Sequence, residues 1–107
     1  MSGNDARADL VASLTADDFT PHIGTEFIAR HGDFEDRLTL VEVLSAYRPV
    51  PEGFRQPFTL VLDGIRDDAL ITDMIEIEHA AIGKQFLTLS ATGHNKVGGF
   101  RYELVFG

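Results

Sequence analysis

A chain of 107 residues is one domain long, and eight Phe within a 44% hydrophobic composition supply a core that disordered segments lack. Nine Lys and Arg against seventeen Asp and Glu leave a net charge of −8, which argues against nucleic acid and against docking on an anionic membrane. Without cysteine there is no disulfide, thiolate metal site or cysteine nucleophile, and no apolar run approaches the ~18 residues of a spanning helix.

Residues 1–13 are polar, small and acidic, and are expected as a disordered or frayed lead-in to a single domain over 14–107. They lack the charged start and apolar run of a secretory signal, so a cytoplasmic protein is expected. Thr15-Ala-Asp-Asp18 offers a hydroxyl cap and two first-turn carboxylates, which predicts a short helical turn ending before Pro21. Strands are then expected at 25–31, around a Gly32-Asp33 turn, and at 36–46. In the second of these Leu38 and Leu40 lie on one phase and Val41 and Val43 on the other, so either both faces are covered or a bulge shifts the phase.

Pro49, Pro51 and Gly53 make 47–56 a loop, and Pro57 leads into the alternating Phe58-Thr-Leu-Val-Leu-Asp63. The stretch 67–83 reads two ways. Leu70, Ile71, Met74, Ile75 and Ile82 fall near helical spacing, whereas Met74-Ile-Glu-Ile-Glu-His79 alternates as a strand would. A further strand is expected at 84–91, a turn-rich loop at 92–99, and a last strand at Phe100-Arg-Tyr-Glu-Leu-Val-Phe106. No internal repeat is visible. The expected core takes Phe27, Leu38 and Leu40, then Phe58, Leu60 and Leu62, then Ile75, Ile77, Leu87 and Leu89, and finally Phe100, Tyr102, Leu104 and Phe106.

Several motifs taken together carry a family likeness. They are Phe19-Thr-Pro21-His-Ile-Gly24-Thr-Glu-Phe27, Leu38-Thr-Leu-Val-Glu-Val43, Phe58-Thr-Leu-Val-Leu-Asp-Gly64, Ile77-Glu-His79 with Gly83, and Tyr102-Glu-Leu-Val-Phe106. In this order, from Leu14 onward, the chain resembles an uncharacterised family of small bacterial all-β domains, a domain of unknown function. The resemblance implies strand at 75–79 with a hairpin loop at 80–83. It implies no activity and no cofactor. Members of that family often accompany phage tail-collar and tail-fibre-like proteins, which implies a structural or accessory role. Ala80 and Gln85 depart from its usual proline and aromatic, which bears on how the hairpin packs.

His79 carries the most chemical interest, because it shares the inward phase of Ile75 and Ile77. It could be a ligand or a general base. The preferred reading is a partly buried imidazole that fixes the 80–83 loop with one donor and one acceptor. His22, His31, His79 and His94 show no His-x-His spacing, so no metal is expected. Glu76 and Glu78, ~7 Å apart on one strand face, suit a solvated surface facing a basic neighbour such as Lys84 or Arg101. The glycine-rich 93–99 stretch lacks a GK[ST] ending, and Ser45 and Ser90 lack nucleophile surroundings.

The fold expected is all-β: a small antiparallel barrel or strongly curved sheet of about six strands, with a short N-terminal helical turn. A barrel this small fills itself with its own side chains, which moves function to loops or the outer face. The functional expectation is a non-enzymatic interaction or assembly domain, with a protein partner or self-association through Val50 and Phe54. An accessory role in a phage-tail-like bacterial structure is its finer form. The alternative is a small-ligand binder or enzyme with a site near His79.

Overall fold

The computed structural model describes residues 14–45, 56–69 and 72–106, except the side chains of residues 72 and 73. The expectations for residues 1–13, Val50 and Phe54 lie outside the described residues. A short helix α1 (Ala16–Phe19) runs into a 3-10 turn, Thr20–His22. Six strands follow: β1 (Glu26–His31), β2 (Phe34–Ser45), β3 (Phe58–Asp63), β4 (Thr72–His79), β5 (Gly83–His94) and β6 (Phe100–Phe106). They form a closed, wholly antiparallel barrel in the order β1-β2-β3-β6-β5-β4, with β4 returning to β1.

The stretch that read two ways is a strand. Ile75 and Ile77 are buried on one face of β4, and a helix would have turned Ile77 outward. Ladders to β1 on one side and β5 on the other hold it there. In β2 the ladder to β3 slips between Leu40 and Glu42, so a bulge, rather than burial of both faces, explains the change of phase. Beyond the slip Val43 packs against the core and Leu44 points out. Two local readings are corrected. Thr20, ahead of Pro21, keeps helical angles because the chain tightens into the 3-10 turn and the Thr20 hydroxyl donates to the Ala16 carbonyl at 3.0 Å. Strand β5 runs through His94, paired with Phe100, so the loop there is shorter than expected.

The expected core positions are all buried except Leu87 and Phe100, which pack against the core half-buried. Leu14, Phe19 and Ala29 join them, as do three polar residues, Asp36, His79 and Gln85. Phe19 closes one end of the barrel, with its ring 5.4 Å from Phe106, 5.7 Å from Phe58 and 6.3 Å from Phe27. We call this the helix end. The opposite end, where β3 passes Gly64 and β6 begins after Gly99, is the glycine end.

The ring divides into two three-stranded meanders, β1-β2-β3 and β4-β5-β6, of 6, 12 and 6 and of 8, 12 and 7 residues. Corresponding strands meet at the two seams: β1 pairs with β4 about Ala29 and Ile77, and β3 pairs with β6. Asp36 and Gln85, each the third residue of its long strand, are both buried, and Leu-Thr-Leu recurs at Leu38–Leu40 and Leu87–Leu89. This internal two-fold is a repeat that the sequence reading missed.

Candidate functional site

His79 ends β4, where the hairpin of residues 80–82 turns the chain into β5 at the helix end. The residue is 6% exposed. The Ala81 N–H donates to Nδ1 at 3.0 Å, so Nδ1 is an acceptor and the neutral ring carries its proton on Nε2. Nε2 lies 2.8 Å from the Thr25 hydroxyl, which in turn donates to the His22 carbonyl at 2.6 Å. The His22 ring stands edge-on at 4.7 Å, and the Phe27 ring is 4.4 Å away. Burial, and secondarily the second imidazole, lower the His79 pKa from its ordinary value.

The pairing of a hydroxyl with an imidazole resembles a nucleophile and its base, but the protons run the other way. A base must accept from the hydroxyl. Here Nε2 donates to it, and the Thr25 proton already serves a carbonyl. The arrangement joins three pieces of chain: the turn after α1, the lead into β1, and the β4–β5 hairpin.

Beside this cluster lies a small, partly open cavity of about 10 Å³, room for one water-sized sphere, lined by Phe19, Ile77, Ile82, Gln85, Leu104 and Phe106 among others. Gln85 is 4% exposed, and its Nε2 has no hydrogen-bond partner. The site residues hold no metal cradle. Among the described residues no three His, Cys, Asp or Glu converge as metal ligands.

Residues 14–106 match the model of DUF6916, a domain of unknown function. The chain belongs to this family. No curated protein and no solved structure matches it. The DUF6916 match begins at the buried Leu14 and ends at the last residue of β6, so it covers the barrel and its plug.

On the outer wall of this DUF6916 domain, Glu76 and Glu78 both bind Arg30 of β1, at 3.2 and 2.6 Å. Glu35 of β2 reaches the same guanidinium at 3.1 Å. Of the two neighbours expected from sequence, Lys84 stands 3.8 Å from Glu76, while Arg101 pairs with Asp63 instead at 2.8 Å. The hydrogen bond from Arg30 lowers the Glu78 pKa, and Glu78 first and Glu35 next raise that of Arg30.

At the glycine end, Asn95 uses its whole amide. Nδ2 donates to the carbonyls of Gly64 and Phe100 at 2.8 and 3.0 Å, and Oδ1 accepts from the N–H groups of Val97 and Gly99 at 3.0 Å each. Asp36 Oδ1 accepts from Arg37 N–H at 2.8 Å and Ile65 N–H at 3.1 Å, while the buried Oδ2 has no partner. Sequence reading gave Asp36, Asn95 and Thr25 no role and saw in His22 and Gln85 neither of the contacts found here; the bonds that tie distant segments together, Thr25 to His79, Ile65 to Asp36 and Asn95 to Gly64, span about thirty residues or more.

Proposed function

We propose that this chain is a non-enzymatic interaction or assembly domain that works through the outside of its barrel, as an accessory of a phage-tail-like or related bacterial structure. The observation that carries the reading is a row on the outer wall in which two exposed apolar side chains, Leu44 and Val105, flank Thr59. Leu44, Thr59 and Val105 lie directly opposite one another across β2, β3 and β6, with Leu44 43% and Val105 64% exposed. In sequence the row runs on into the segment that carries Val50 and Phe54, the contact residues expected above. The direction of the protons at His79 supports it, since the imidazole there donates to the Thr25 hydroxyl and does not accept from it. The tail-related setting rests on the family likeness alone.

The test is co-purification of the tagged chain from its native host, beside a Val105→Asp variant. Retention of tail-structure proteins by the parent and their loss in the variant is the expected result. Equal retention by both would remove the outer row, and recovery without any tail-related protein would remove the setting. A second reading, a small-ligand binder at the helix end, is favoured by the unpartnered Gln85 Nε2 beside the cavity. A thermal-shift screen separates the two: a stabilising compound whose effect is lost in His79→Ala would favour the ligand.

A further inference from the structure

We propose that His79 is a proton-sensitive latch: when its ring gains a proton, the hairpin tip at residues 80–82 and the Thr20–His22 turn come free of each other and the helix end of the barrel opens. The argument rests on which atoms are already committed. Nδ1 receives the Ala81 N–H, and Nε2 spends its proton on Thr25 Oγ1. A second proton can go only onto Nδ1, where it would point at the N–H that now donates there. Two donors cannot face each other at hydrogen-bond distance, so the ring must turn or the hairpin must leave. Turning the ring breaks the Thr25 contact as well, and Thr25 is what ties the ring to the His22 carbonyl.

Among the described residues, nothing beside the ring offers an imidazolium a counter-charge. From the turn, the group against it is His22, itself a base, with its ring 4.7 Å away. From β1 it is the Phe27 ring, while Glu26 is exposed and reaches Arg37. From β4 and β5, Glu78 and Lys84 take the outward phase, and Glu78 is bound to Arg30. From the hairpin, residues 80–82 bring no titratable side chain. The lowered His79 pKa agrees with this setting. What the latch holds shut is apolar: Ile82 and Gly83 of the hairpin and Phe19 of α1 border the cavity beside Gln85. Release in mild acid would present aromatic surface and the unpartnered Gln85 Nε2 at the helix end of the barrel.

NMR on the full chain tests this. At about pH 7.5 His79 should show the Nε2–H tautomer and a protected Ala81 amide. As it titrates below the ordinary 6.5, protection at Ala81, Ile82 and Thr25, taken against the intrinsic exchange rate at each pH, should fall about tenfold, the factor one lost hydrogen bond is worth. Leu60 and Leu104 amides should stay protected. His22→Phe should move the midpoint upward and keep the opening. An Nδ1–H tautomer, Ala81 protection indifferent to His79 protonation, or simultaneous loss of protection throughout the barrel would each overturn the latch.

Discussion

Gly99 has no room for a side chain, because a Cβ there would collide with the Gly64 carbonyl oxygen and crowd Ile65. Both neighbours are backbone, and the same Gly64 carbonyl is fixed by Asn95, so nothing can move aside cheaply. Gly99→Ala should therefore lower stability by about 3 kcal/mol, read as a fall in the urea midpoint at unchanged slope. At His79 the sign follows from the direction of the shift. A histidine pKa lowered by folding means that the unfolded chain binds more protons below 6.5. Its contribution is complete above that pH and declines as pH falls from 6.5 through the folded value. Stability should rise with pH over that window, and His79→Leu should flatten the slope. Gly99 does not declare itself in the sequence. His79 drew notice through its phase, and its bond to Ala81 is local to the hairpin, but its partner Thr25 depends on β1 and β4 being neighbours, which alternation does not reveal.

Among the elements, α1 matters for one ring. Four residues make no independent helix. It forms because Asp18 takes the Thr15 backbone N–H at 2.7 Å and because Phe19 fills the barrel mouth among Phe27, Phe58 and Phe106. Phe19→Ala should cost about 3–4 kcal/mol by urea melt, the range for emptying an aromatic site. The rail across β2, β1 and β4 is different in kind. Arg30→Met would leave Glu35, Glu76 and Glu78 without their shared cation. The melting temperature should drop at low salt, and the gap from the parent should narrow in about 1 M NaCl. Glu78, its pKa lowered below the ordinary 4.5, adds stability above that pH and loses it as pH falls through the folded value, so the gap should also close in acid. Strands β3 and β6 were legible from alternation alone. Strand β4 was not, because Met74, Ile75 and Ile82 also satisfy a helix, and only its two partners decide.

For the whole molecule, closure is what manages the edges. Strand β6 is bonded to β3 along one side and β5 along the other. A chain cut after Gly99 would expose both flanks, each rich in Leu and Phe, and should aggregate on expression while the parent stays monodisperse by light scattering. The sequence supported this architecture in outline: five alternating runs and a sixth, at 74–79, that alternation left open between strand and helix. It did not disclose the order in which they close, nor that Asp36 and Asn95 fasten the glycine end. Those contacts join chain segments about thirty residues apart.

The pairing of like with like at both seams has a genealogical corollary. Exchanging the two meanders maps each seam onto itself, β1 with β4 and β3 with β6. A peptide about half this long, holding one meander, would complete the same ring by binding its own twin. Joining two such genes head to tail would need only the short bridge between β3 and β4.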